Sequence, residues 1–196
     1  MGNFYTNVAV KADADSVKDA LRARRRIAYV ASADGVTVVV DREADNQDLD
    51  ALSSLALTLS AALSTSALAS LNHDDDALIL GLYDCGALVQ EFGWCHSSAF
   101  EVPKSDRAEF VEQVSRRFAG VRRPRSRPLG LDIPHLGFGR RLTLWALSAL
   151  SKNVFAIRIH QDIVADMGLP EVCAGAGFKY VSRGEFADQD PPFERI

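Results

Sequence analysis

The chain has 196 residues, 47% of them hydrophobic and 24% charged, and 22 basic against 26 acidic side chains leave a formal charge of −4. A chain of this size and composition buries roughly 70% of its extended surface without a metal or disulfide staple, which excludes disorder, collagen and a cysteine scaffold. The negative balance argues against a dedicated nucleic-acid binder, because phosphate contacts need a positive field.

Asn3 to Val10 mixes aromatic, Thr and Val residues and reads as a strand, with Phe4, Thr6, Val8 and Val10 on one face and Tyr5, Asn7 and Ala9 on the other. Asp13 or Asp15 then caps a helix carrying Val17, Ala20 and Leu21 on one side. Arg22, Arg24, Arg25 and Arg26 end it, where cations meet the negative end of the helix dipole. Ile27 to Ala31 and Val36 to Val40 are two strands joined at Asp34-Gly35, a pair suited to a turn that needs positive φ. The β-branched run at Val36 to Val40 is expected to be buried, since exposed it would invite aggregation.

The longest helical pattern follows Asp45-Asn46-Gln47-Asp48, with Leu52, Leu55, Ala56, Leu59, Ala62 and Leu63 at steps of three and four. Ala67 to Leu71 is a short strand. Ala77 to Tyr83 and Ala87 to Phe92 form a hairpin turning at Asp84-Cys85-Gly86. The opening six elements match the order of a split βαβ sandwich, in which one helical layer buries its apolar stripes on a mainly antiparallel sheet.

The second half is α-rich. Ser105 to Phe118 reads as a helix with Ser105 as its N-cap, Gly120 to Gly139 as a long loop, and Leu142 to Leu150 and Val154 to Met167 as helices. Gly168 stops the last of these, Pro170 opens a short helical turn, and Phe178 to Val181 is expected to be a final strand. Residues 1–187 therefore form one α+β domain, sheet-rich over 1–100 and helix-rich over 101–187, and 188–196, with two adjacent prolines, is expected to be a tail.

Nothing in the termini or cysteines points outside the cytoplasm. Met1-Gly2-Asn3-Phe4-Tyr5 lacks the basic and apolar regions of a signal peptide, and no stretch of 18 uncharged apolar residues exists to span a membrane. Cys85, Cys95 and Cys173 have neither zinc spacing nor the even number of a disulfide framework, so reduced thiols are expected. GxGxxG, Walker, GxSxG and HExxH motifs are missing, and no catalytic residue, metal ligand set or cofactor is assigned.

Two polar features remain. The first is the acidic turn at Asn72-His73-Asp74-Asp75-Asp76, where adjacent carboxylates repel unless solvent or a cation screens them. It reads as a solvated turn, a recognition surface or a site for a hard cation. Neighbours on a strand point to opposite faces, which disfavours shared ligation. With Cys95 and His96 nearby in sequence, His73, Asp74, Asp75 and Asp76 make the candidate polar cluster.

The second feature is the window from Arg116 to Arg141, which holds eight arginines against one acid, Asp132, for a local charge of +7, while the rest of the chain carries −11. Arg122, Arg123, Arg125 and Arg127 form a candidate patch. It either folds onto the protein's own acidic surface or offers itself to phosphate, RNA or an acidic partner.

Gly2 to Asn7, Val40-Asp41 with Gln47-Asp48, Leu71 to Asp76 and Gly175 to Tyr180 together resemble a family of uncharacterised bacterial proteins. The resemblance implies a bacterial, cytoplasmic protein of one architecture and lends no catalytic residue. The leading expectation is a non-enzymatic interaction or regulatory protein that presents the acidic turn or the arginines to a protein partner. Membrane binding is not expected, and the sequence sets no oligomeric state. The alternative is a small metal-dependent or phosphate-handling enzyme using His73 and Asp74–Asp76.

Overall fold

The computed structural model describes residues 3–96, 102–103, 105–120, 156–190 and 192–196. The helix expected at Leu142–Leu150, nearly all of the loop at 120–139, and Arg122, Arg123, Arg125 and Arg127 lie outside the described residues.

Strand β1 (Tyr5–Val10) is followed by α1 (Ala14–Arg22), β2 (Ala28–Ala33), β3 (Val36–Asp41), a 3-10 turn at Ala44–Asn46, α2 (Leu49–Leu63) and β4 (Ser66–His73). Strands β5 (Ala77–Asp84) and β6 (Ala87–Cys95) complete a hairpin, then come α3 (Arg107–Arg117), α4 (Ala156–Met167), a 3-10 turn at Glu171–Cys173, α5 (Phe178–Ser182) and β7 (Glu194–Arg195). The described strands form one sheet in the order β6-β5-β4-β1-β3-β2-β7, antiparallel at every pairing. Its β4-β1-β3-β2 centre, with α1 and α2 as crossovers, is the split βαβ arrangement expected from the element order. Strands β5 and β6 widen the sheet at one side and β7 at the other.

Local chemistry accounts for the elements. Asp13, Asp48 and Asp106 cap α1, α2 and α3, their carboxylates accepting from the N–H groups of Ser16, Ala51 and Glu109 at 2.9, 3.0 and 3.0 Å. Such caps each contribute about 1 kcal/mol. Ser105, expected as the third cap, instead donates its hydroxyl to the Glu91 carbonyl, so the cap falls one residue later. The hairpins turn on left-handed pairs, Asp34-Gly35 (φ 53° and 84°) and Cys85-Gly86 (φ 48° and 85°), as twisted antiparallel strands require.

Both faces of the sheet are covered. On one, Val8, Val10, Val30, Val39 and Ala67 pack beneath Val17 and Leu21 of α1 and Leu52, Leu55, Ala56 and Leu59 of α2. On the other, Ala9, Val36, Val38, Val40, Leu68, Leu78, Leu80 and Leu82 pack beneath Phe110 and Val114 of α3 and Ile159 and Ile163 of α4. All six residues of β1 and all six of β3 are buried, so the β-branched run of β3 lies inside as expected. This is an α+β fold with a multi-stranded antiparallel sheet and a separate C-terminal helical region.

Two expectations are corrected. Phe178 to Val181 is not a strand: it is the helix α5, whose first N–H groups are capped by a distant aspartate. The segment read as a tail returns to the sheet, with Arg195 opposite Tyr29 and Glu194 opposite Val30. Among the described residues no helix is long and apolar enough to cross a membrane.

Candidate functional site

The polar residues of the acidic turn lie at the end of the sheet where β1 begins and β4 finishes. Asp74 and Asp75 carry φ of 51° and 57°, and the turn closes with the Asp76 N–H donating to the His73 carbonyl at 2.9 Å. Left-handed φ at two successive aspartates is uncommon, since this backbone region favours glycine or asparagine. Hydrogen bonding holds it. The buried Asp75 carboxylate accepts from the Asn3 backbone N–H (3.1 Å), the Asn3 side-chain amide (3.0 Å) and the Asn72 amide (3.2 Å). Its carbonyl takes the Ala156 N–H at 2.8 Å, so one residue ties β1, β4 and α4 together. Asp74 is exposed and Asp76 half-buried.

Beneath the turn, on the face covered by α3 and α4, the Tyr5 hydroxyl meets Nδ1 of His160 at 2.6 Å, and the two rings stack 5.8 Å apart. Both side chains are fully buried. Burial pushes the His160 imidazole down to about 3, and burial, with the charge of Asp75, pushes the Tyr5 phenol well above its ordinary value. The pair is therefore neutral at ordinary pH. Two residues along β1, the Asn7 amide donates to the Cys173 and Ala176 carbonyls at 3.2 and 2.9 Å and pins the chain before α5. Ser70 lies directly opposite Asn7, and Asn72 opposite Tyr5. Asn7 Oδ1, Ser70 Oγ, Asn72 Oδ1 and His160 Nε2 have no hydrogen-bond partner among the described residues, which makes this a buried polar band inside an otherwise apolar layer.

The helix α5 is set against the same end. Asp45 accepts the Phe178 and Lys179 N–H groups at 2.9 and 3.2 Å, and the Lys179 ammonium lies 3.8 Å from it. Burial pushes the Asp45 carboxyl up, and those N–H groups with the Lys179 charge pull it back. Gly177 allows the approach: a Cβ there would stand 2.7 Å from the Tyr5 Cβ and 3.1 Å from an Asp45 carboxylate oxygen. The Phe4 N–H donates to the Tyr180 hydroxyl at 3.0 Å. Around the turn, Gln47 Oε1 lies 3.2 Å from Nδ1 of His73, and the Phe4 ring meets the His73 ring edge-on at 5.0 Å. Phe4 remains 40% exposed.

Cys95 and His96 reach this end along β6. Ala77 pairs with both His73 and Cys95, and the His96 N–H donates to the Asp76 carbonyl at 2.8 Å. The pairing places His73 and Cys95 two strands apart, about 10 Å between backbones at the usual strand spacing. His96 sits beside Trp94, ring centroids 6.4 Å apart. Among the described residues no group of three or more His, Cys, Asp or Glu could hold a metal ion. The one buried thiol, Cys173, is pushed up to about 12 by burial. A cavity of about 310 Å³ lies elsewhere, between the β2–β3 turn and residues 170–190, and no member of the candidate cluster lines it.

The structure thus brings His73, Asp74, Asp75, Asp76, Cys95 and His96 to one end of the sheet, where the side chains of Asp75 and His73 join the network of bonds. Sequence reading did not single out Asn3, Tyr5, Asn7, Asp45 and His160 as members of this site. The signal for Tyr5 and Asn7 was the polar side of a strand whose other side is apolar. Four stretches far apart in the chain meet here: Asn3 with Asp75, Gln47 with His73, Phe4 with Tyr180 and Tyr5 with Gly177.

No family model, curated protein or solved structure matches the chain.

Proposed function

We propose that the chain is a non-enzymatic interaction protein that offers the end of its sheet, around the acidic turn, to a protein partner. The observation that carries this reading is the division of labour within the turn. Asp75 spends its carboxylate on Asn3 and Asn72, which locks the loop, while Asp74 stays exposed next in the chain to His73, whose ring meets that of the exposed Phe4. A rigid loop showing one carboxylate and one aromatic face suits recognition, where preorganised groups lose little entropy on binding. The cytoplasmic and bacterial placement belongs to the same proposal, supported by the resemblance of the four segments and by cysteines that no disulfide joins.

The test compares affinity purifications from source cells using the wild-type chain, Phe4→Ala, Asp74→Lys and, as a control on α2, Leu57→Ala. A co-purifying protein lost with both turn variants and kept with the control is the expected result. An unchanged set in all four samples would reject the reading. Heat on calorimetric titration with magnesium, calcium, manganese or zinc that disappears in His73→Ala would favour the enzymatic alternative.

A further inference from the structure

The two outer strands of the sheet are closed in different ways. The register of β6 on β5 slips between Leu82 and Tyr83, and such irregularities blunt an edge; farther along, Val102 and Pro103 crowd Gly93, and Ser105 bonds Glu91. Among the described residues, the outer edge of β2 is paired by residues 192–196. Two residue pairs hold them, Tyr29 with Arg195 and Val30 with Glu194, together with the Ile196 N–H on the Ala28 carbonyl at 2.8 Å.

The seat is specific for what fills it. The Lys18 side chain is only 11% exposed, and its ammonium lies 2.7 Å from the Glu194 carboxylate, with exposed Asp15 farther off at 3.6 Å. Ile196 packs against the core beneath α1 and α2, whereas Phe193 packs against the opposite core and meets the Phe186 ring at 5.9 Å. The short segment straddles the sheet edge. Its carboxylate is held by a nearly buried cation and its aliphatic side chain, partly buried, packs against the core beneath the helices. Glu194 itself stays 65% exposed on a strand of two residues, so little surface holds the segment down.

We propose that the outer edge of β2 is a strand-binding slot for a partner protein's extended segment of the form acid–any–aliphatic, which the chain's own residues 192–196 fill in cis. The partner's main chain would repeat the pairing to Ala28, Tyr29 and Val30. Lys18 would select the acid, and the Ile196 position would select the aliphatic residue, as in other cases of strand addition. The covalently attached segment acts at an effective concentration of about millimolar and so sets the threshold that an incoming strand must exceed. This slot uses none of the residues of the acidic turn, and the proposal stands or falls apart from that one.

The test uses the full chain and a synthetic peptide, Pro-Phe-Glu-Arg-Ile, carrying the sequence of residues 192–196 and amidated at its C-terminus. Glu194→Lys opposes Lys18 with a like charge and should lift the segment from the edge. The peptide is expected to bind this variant at least tenfold more tightly than the wild type, shifting the amide resonances of Tyr29 and Val30. A peptide with lysine in place of its glutamate should lose the effect. Binding to neither protein, or equally to both, would overturn the proposal. Concentration-dependent dimerisation of Glu194→Lys would overturn its choice of occupant in favour of a second copy. Should that variant fold poorly, hydrogen exchange of the wild type decides. The Ile196 amide is expected to exchange at least a hundredfold faster than the Val8 and Val39 amides at the sheet centre, and equal protection would mean that the segment is a fixed part of the sheet.

Discussion

Under α1 and α2 the sheet is lined by Val8, Val10, Val30, Val39 and Ala67, whereas under α3 and α4 the same central strands carry Tyr5, Asn7, Ser70 and Asn72 among their aliphatic residues. The first face is held mainly by apolar burial, which is non-directional and tolerates small shifts, with Thr6 and Thr37 among its few buried polar groups. The second adds hydrogen bonds that fix which carbonyl and which ring stand where: Tyr5 to His160, Asn7 to Cys173 and Ala176. Polar groups inside a core are costly unless matched, so they specify one docking of the covering layer more sharply than aliphatic packing does. The comparison explains how a helical region far along the chain finds a single seat on a sheet built from the first hundred residues.

The largest expected effects test whether the two layers melt together. Phe110→Ala empties a fully buried position under α3 and should lower stability by about 3–5 kcal/mol; Leu59→Ala under α2 should cost about 2–5 kcal/mol. One denaturant transition in both variants, followed by far-ultraviolet and near-ultraviolet circular dichroism, means that both faces belong to one cooperative unit. Separated transitions in Phe110→Ala alone would break the comparison into two bodies.

The next effect sharpens the polar side. His160 is held at about 3 in the folded chain against an ordinary 6.5, so below 6.5 the unfolded chain binds a proton that the folded chain refuses. Its contribution is complete above pH 6.5 and is lost as pH falls toward 3, at about 1.4 kcal/mol per pH unit within that window. His160→Gln keeps an acceptor for the Tyr5 hydroxyl and removes the titration. Denaturation midpoints at pH 7 and pH 5 should therefore fall less in the variant than in the wild type.

Smaller effects separate bonding from backbone strain in the acidic turn. Asp75→Ala removes the acceptor of the Asn3 N–H groups and one of the two acceptors of the Asn72 amide, which keeps the Asn3 carbonyl, and should cost about 1–3 kcal/mol. Asp74→Gly removes a side chain from a left-handed position at an exposed site and should be neutral or stabilising by up to about 1 kcal/mol. Thermal melts that show equal losses for both would mean that the loop is held by its chain path, not by the Asp75 carboxylate.

Much of the fold was legible because it is local. The cap of α1, read as Asp13 or Asp15 and found at Asp13, the Asp34-Gly35 turn, the spacing of Leu52, Leu55 and Leu59, and the β-branched run at Val36 to Val40 each state their structure within a few residues. The candidate site was legible only in part. The acidic turn stood out as a charge cluster, but its partners are remote: Asn3 is 72 residues from Asp75, and Tyr5 is 155 residues from His160. A short-range reading misassigned Phe178 to Val181 because its β-forming residues are overruled by Asp45, 133 residues earlier, which caps the Phe178 N–H and makes a helix start there. The two prolines at 191 and 192 suggested a tail, yet Lys18 and the core beneath α1 hold the residues after them.

Taken alone, then, the order of residues determined strands β1 to β6, the first two helices and their split βαβ sequence, because periodicity and capping act over one or two turns of chain. Tertiary structure decided that Asp75 fastens three elements, that His160 is a neutral buried partner of Tyr5, and that residues 194–196 close the sheet. Each of those depends on groups far apart in sequence meeting away from water, where a single hydrogen bond or charge counts for more than any local preference.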